Sequence, residues 1–163
     1  MIANRLSTGR AFALVAAAAG ALFVLAPQAQ AAAKIERVVS PGGIEAWLVR
    51  EPSVPLIAME FSFKGGANQD PAGKPGVAYM TAALLDEGAG DLDAKAFQAQ
   101  SDRNAVELSF RASRDEIRGS LKVLSHRQTE GFDLLRLALT QPRFDKEPVE
   151  RIRAQMLTAL KRE

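Results

Sequence analysis

The sequence of 163 residues contains no cysteine and a single histidine, His126. Without cysteine the chain has neither a disulfide nor a Cys–His catalytic pair, so its stability has to come from packing. One histidine is a poor basis for a zinc site, because such sites usually combine several imidazole, thiolate or carboxylate ligands. No cluster of Lys and Arg with interleaved aromatic residues occurs, which argues against nucleic acid as a partner.

The first residues have the pattern of an export signal. Arg5 and Arg10 precede an apolar run over 11–25, and residues 29–31 (Ala-Gln-Ala) have the small-x-small pattern of a signal peptidase site. The apolar run is shorter than the roughly 20 residues that a permanent membrane span needs. We therefore expect residues 1–31 to be a cleaved signal peptide and the mature protein to be periplasmic or secreted. A membrane anchor that is never cleaved is the alternative.

The remaining residues, 32–163, are long enough for one domain with a real core. Alternating apolar residues predict strands at 35–40, 44–50, 57–64, 106–112 and 117–123. Amphipathic segments predict helices that begin near residues 75, 94, 129 and 147. This order predicts an α+β domain, an antiparallel sheet covered by helices. Its expected core comprises Leu48, Met59, Phe61, Val77, Leu84, Leu108, Leu121, Phe132 and Leu135.

Several short motifs follow one another along these residues. They are Phe63-Lys64-Gly65-Gly66, Pro71 to Gly76, Glu87-Gly88, Ser113-Arg114-Asp115, Pro142-Arg143-Phe144 and Val149-Glu150-Arg151. Each is weak alone, but in this order and spacing they resemble the insulinase/pitrilysin-like (M16) zinc peptidases over the whole range. The resemblance implies a LuxS/mitochondrial-processing-peptidase-like (ferredoxin-like) metallohydrolase fold. The chain would be the N-terminal domain of a longer protein, truncated in its last helix with a C-terminal half missing.

The helix that this family uses for zinc lacks its chemical groups here. Where the resemblance implies His-x-x-Glu-His, residues 79–83 read Tyr-Met-Thr-Ala-Ala. The histidine positions fall on Tyr79 and Ala83, the catalytic base falls on Ala82, and the third zinc ligand falls on Ala159. Alanine can neither ligate a metal nor abstract a proton. We therefore expect no catalytic residue and no metal in this chain, with zinc only in a partner subunit.

The resemblance implies a non-catalytic subunit of an exported M16-type protease. Such a subunit binds peptide and closes a chamber beside a catalytic, zinc-bearing sister subunit. An exposed sheet edge can pair with an extended peptide without any metal, and the candidate binding residues are Asn104, Ala105 and Val106. Two alternatives stay open. One is a purely structural or assembly subunit, and the other is an active metallopeptidase with an unrecognised site built from Asp86, Glu87 and His126.

Overall fold

The structure, a computed structural model, describes residues 34–162. The predicted signal peptide, residues 1–31, lies outside the described residues. The described chain divides between Glu51 and Pro52 into two units. No helix within this described part is both long and apolar enough to cross a membrane.

The described part of the first unit is an antiparallel hairpin. Strand β1 (Ile35–Val39) pairs with β2 (Glu45–Val49), and Arg37 lies opposite Trp47. The turn between them contains Gly43 at φ +82, a left-handed conformation that glycine adopts at little cost. The Pro-Gly-Gly sequence predicts this turn correctly. Leu48, which the sequence assigns to the core, is half-buried.

The second unit is built on a three-stranded antiparallel sheet with the strand order β3–β7–β6. Its strands are β3 (Leu56–Lys64), β6 (Glu107–Ala112) and β7 (Glu116–Leu124). In the middle of the sheet Phe61 lies opposite Gly119, and a Cβ atom on Gly119 would come within 2.3 Å of the Phe61 ring. A glycine on the central strand therefore makes room for the aromatic side chain of its neighbour.

Helices cover the core face of this sheet. They are α1 (Val77–Leu84), α2 (Ala94–Arg103), α3 (Gln128–Thr140) and α4 (Lys146–Leu160). Asp93 caps α2, since its carboxylate accepts the backbone N–H of Ala96 at 2.8 Å. The short strands β4 (Gly88–Ala89) and β5 (Leu92–Asp93) pair between α1 and α2. This small hairpin is not among the strands that the sequence predicts.

The core of the second unit lies between the sheet and the helices. Its largest fully buried side chains are Phe97, Leu121, Val123 and Leu134. Of the residues predicted for this core, three are buried, namely Leu84, Leu121 and Leu135. Three more pack against it from half-buried positions, namely Met59, Phe61 and Leu108. The predicted α+β class, an antiparallel sheet covered by helices, is confirmed.

Two core assignments are wrong, because Val77 is 42% exposed and Phe132 is 41% exposed. In α1 the buried side includes the small residues Ala78 and Ala82 instead of Val77. In α3 the buried side is made by Gly131, Leu134, Leu135 and Ala138. The buried side of each helix includes small residues beside its leucines, whereas Val77 and Phe132 lie at the surface.

Helix α3 approaches strand β7 closely at Gly131. A Cβ atom at this position would lie 2.9 Å from Cγ2 of Val123, and Val123 is fully buried. Real Cβ atoms essentially never come so close to another heavy atom. The absence of a side chain at residue 131 therefore sets the distance between the helix and the sheet.

We expect Gly131→Ala to destabilise the protein, although alanine within a helix is ordinarily better than glycine by about 1 kcal/mol. The added methyl group overlaps Val123, and overpacking of this kind costs about 1–3 kcal/mol. Urea unfolding measures the effect, with Thr129→Ala at an exposed position of the same helix as the control. The loss should shrink in a Val123→Ala background. A Gly131→Ala protein more stable than wild type would contradict this packing.

Candidate functional site

Helix α1 carries the positions to which the resemblance assigns the zinc motif, and Asp70 fixes its first turn. The Asp70 carboxylate accepts the backbone N–H of Gly76 at 2.6 Å and that of Ala78 at 2.8 Å. Gly76 has φ +95, which lets the chain turn sharply into the helix. A negative charge beside these amides also interacts favourably with the helix dipole and so stabilises the helix. The start of α1 is thus defined by a side chain that precedes the helix by several residues.

The end of α1 is tied to α4 by an ion pair. Glu87 accepts a hydrogen bond from Nη2 of Arg151, and Nε of Arg151 lies 3.6 Å from Oε1 of Glu147. The hydrogen bond to Glu87 raises the pKa of the Arg151 guanidinium above its ordinary value. Glu87 follows α1 and Arg151 belongs to α4, so this contact holds the two helices together. These helices carry Tyr79, Ala82, Ala83 and Ala159.

Two of those positions line the same open groove. Tyr79 of α1 and Ala159 of α4 both border a cavity of about 980 Å³, together with Met156, Leu160 and residues of the turn before α1. Tyr79 is 44% exposed. The other polar side chain in this lining, Asp70, already accepts two amides of α1. Where the resemblance implies metal ligands, the groove offers apolar side chains and one phenol.

The remaining two positions are turned away from solvent. Ala82 is 2% exposed and belongs to the same core cluster as Leu85 and Phe110, and Ala83 is half-buried. A carboxylate at residue 82 without a partner would be buried at a large cost in free energy. Ala82 therefore contributes to packing in this chain.

The residues of the alternative metal site do not form a metal-binding group. Within residues 34–162, no three His, Asp or Glu side chains are placed to hold one ion. Glu87 is engaged with Arg151, and His126 is exposed in a 3-10 turn between β7 and α3. Asp86 is half-buried at the end of α1.

The predicted peptide-binding residues lie in the connection between α2 and β6. Asn104 donates from Nδ2 to the carbonyl oxygen of Gln100 at 2.9 Å, and so helps to end α2. Ala105 has φ +50. Val106 is 6% exposed, and its N–H donates to the carbonyl oxygen of Ser101 at 2.9 Å. These groups are engaged within the fold, and a role of the three residues in peptide binding stays a prediction.

The backbone available for pairing begins further along, on β6, which forms one edge of the three-stranded sheet. In the adjoining turn the N–H of Ser113 donates to the carbonyl oxygen of Glu116 at 2.8 Å. Hydrogen-bonded and non-hydrogen-bonded pairs alternate in an antiparallel ladder. Counting back from Ser113 along the register, the amides that point outward are those of Leu108, Phe110 and Ala112.

Comparison with known proteins shows which proteins this chain is similar to. No family model matches the chain. Among curated proteins it is similar to the non-peptidase homolog YmxG of Helicobacter pylori, with 27% identity over 107 residues. That match covers 66% of this chain and 25% of YmxG.

Among the solved structures that share the fold, three illustrate the similarity. The peptidase M16 inactive domain from Pseudomonas fluorescens matches 78% of this chain and 31% of its own, with a TM-score of 0.71 and 25% identity. A protease from Helicobacter pylori matches 77% of this chain and 31% of its own, with a TM-score of 0.63 and 20% identity. Pitrilysin matches 80% of this chain and 14% of its own, with a TM-score of 0.66 and 18% identity.

These similarities confirm the predicted resemblance: the chain is similar to M16 peptidase domains in fold and, at about a quarter of the aligned positions, in sequence. The similarity to an inactive domain and to a non-peptidase homolog supports a non-catalytic role. The chain spans about a quarter of the curated relative's length and under a third of the Pseudomonas fluorescens chain.

Asp86 gives this region a testable pH dependence. Burial raises the pKa of its carboxyl group, a backbone hydrogen bond opposes the rise, and the negative charge of Glu87 adds to it. A raised pKa means that the folded state holds the proton more tightly than the unfolded state. The protonated carboxyl group of Asp86 therefore contributes to stability at low pH, and this contribution is lost as the pH rises through the folded-state pKa of Asp86.

We expect Asp86→Asn to gain stability relative to wild type as the pH rises from about 3 to about 7, because asparagine carries no charge to bury. Thermal unfolding across this range measures the difference. Asp102→Asn, at an exposed position, controls for the removal of one carboxylate. A stability difference for Asp86→Asn that falls with rising pH would contradict the stated effect of burial.

The vacated positions also predict metal content. We expect full-length, tag-free protein that has been exposed to zinc and desalted to retain no stoichiometric zinc, because Tyr79, Ala83 and Ala159 replace the expected ligands. Elemental analysis makes the measurement. One zinc per chain would contradict the prediction, most directly if it were lost in any of the variants Asp86→Ala, Glu87→Ala and His126→Ala.

Proposed function

We propose that this chain is the non-catalytic, peptide-binding part of an exported M16-type protease that acts beside a zinc-bearing sister subunit. One combination of observations supports the proposal. The fold is similar to that of an inactive M16 domain, while the positions that the resemblance assigns to the zinc ligands and the base hold Tyr79, Ala82, Ala83 and Ala159. Export through residues 1–31, closure of a chamber and zinc in the partner are parts of the same proposal.

Peptide binding at the edge of β6 needs no metal. An extended peptide that pairs with β6 would accept hydrogen bonds from the outward amides of Leu108, Phe110 and Ala112, in the mode of an added strand. Each such bond contributes about 0.5–1.5 kcal/mol net. Helix α1 contacts β6, so a peptide on this edge would lie near the helix whose counterpart carries the catalytic groups in active relatives.

The first test is isolation of the full-length protein from its native compartment, followed by identification of the proteins that accompany it. We expect a sister subunit whose sequence contains an intact His-x-x-Glu-His motif. The complex should cleave peptides, and a zinc chelator should abolish the cleavage, because the metal would reside in the sister. Isolation of the protein without such a subunit would contradict the proposal.

A substitution on the outer edge of β6 tests the binding role in the same complex. Ala112→Pro removes one outward N–H without breaking a ladder bond to β7, which an edge strand tolerates. We expect peptide affinity to fall by about twofold to tenfold, the equivalent of one hydrogen bond. Ala112→Val keeps the N–H and serves as the matched control, after circular dichroism has shown that both variants fold. Equal affinity in both variants would make an architectural role the better account.

A further inference from the structure

The face of the sheet that points away from the core carries two arginines side by side. Arg111 of β6 lies directly opposite Arg118 of β7, and both are exposed. They border an open cavity of about 520 Å³, together with Ser109 and Ser120, whose hydroxyl oxygens are 2.9 Å apart. Like charges at directly opposite positions of an antiparallel pair are destabilising. A negative charge placed beside Arg111 would therefore reduce the repulsion between the two arginines on this face of the sheet.

The two arginines differ in their partners. Nη2 of Arg118 lies 2.7 Å from Oε1 of Glu116 on the same strand. Among residues 34–162, no carboxylate forms an ion pair with Arg111. Further along β6, Oε2 of Glu107 lies 3.7 Å from Nζ of Lys122, so its charge is partly compensated. The uncompensated charge of this strand is the guanidinium of Arg111.

The pleat of β6 relates this charge to the strand edge. Residues Leu108, Phe110 and Ala112 direct their side chains to the core face, and their amides point outward. Residues Glu107, Ser109 and Arg111 direct their side chains to the open face, because side chains alternate along a strand. A strand added to β6 would place every second side chain beside one of these three, with Cβ atoms about 4.5–5.5 Å apart. One side chain of the bound peptide would thus lie directly beside Arg111.

We propose that the edge of β6 selects extended peptides with an aspartate or glutamate at the position beside Arg111. This inference rests on the proposed function, since it needs peptide to pair with β6. The carboxylate would accept hydrogen bonds from the guanidinium of Arg111 and would offset the repulsion between Arg111 and Arg118. For an exposed ion pair the gain in affinity is up to about fivefold. The alternate side chains of the peptide would face the core side of the sheet, where apolar residues are favoured.

The test uses full-length protein and blocked peptides in which valine alternates with threonine. One central threonine is replaced by glutamate, glutamine or lysine, and affinity is measured by fluorescence anisotropy at low and high salt. Arg111→Gln is compared with Arg114→Gln, which removes an exposed arginine from the turn between β6 and β7. Circular dichroism first verifies that both variants fold.

We expect wild type to bind the glutamate peptide up to about fivefold more tightly than the glutamine peptide and the lysine peptide least tightly. Salt should reduce this preference. Arg111→Gln should lose the preference and keep the affinity for the glutamine peptide, and Arg114→Gln should behave as wild type.

Two results would overturn the inference and leave the proposed function in place: binding without preference for glutamate, or a preference that survives in Arg111→Gln. Failure of every peptide to bind, both to the chain and to its complex, would contradict the inference and the proposed function together. A dimer of the chain in analytical ultracentrifugation that the peptides do not dissociate would assign the edge to a second copy. That result would also overturn the inference.

Discussion

The close packing of α1 and α3 on the sheet determines where every other feature of the second unit lies. Both helices direct small residues inward, Ala78 and Ala82 in α1 and Gly131 in α3. The helices therefore lie near the sheet, and the Phe61 ring fills the space above Gly119. Asp70 holds the start of α1, and the ion pair between Glu87 and Arg151 ties its end to α4. The groove at Tyr79 is a consequence of this arrangement.

Burial at residue 82 gives a physical reason for alanine at the position that the resemblance assigns to the catalytic base. A carboxylate in the core needs a metal or strong donors to offset the cost of removing its charge from water. Once the metal ligands at residues 79 and 83 are absent, alanine at residue 82 removes that cost and fills the core. Selection for stability alone would then favour Ala82.

The sequence predicts the strands of this fold better than the inward sides of its helices. Alternation identifies β3, β6 and β7 because a strand's side chains have an unambiguous period of two. For α1 the hydrophobic pattern favours Val77, whereas the structure buries Ala78, because close helix–sheet contact selects small volume over hydrophobicity. The β4–β5 hairpin has strands too short to show a period. The position of Ala159 in the groove with Tyr79 depends on the packing of α4, which no local pattern encodes.

On β6 the core-packing side chains, the outward amides and the solvent-facing side chains point in different directions, because of the pleat of the strand and the alternation of its hydrogen bonds. Side chains such as Phe110 hold the strand in the core, the amides of the same residues point to the open edge, and the intervening side chains, such as Arg111, face solvent. Backbone pairing gives affinity that is almost independent of sequence. Selectivity must therefore come from side chains beside the added strand, and the charge of Arg111 is placed where it can act without disturbing the core. Under the proposed function an edge strand of this kind would bind peptide without catalysis, since none of its interactions involves the positions that the resemblance assigns to zinc.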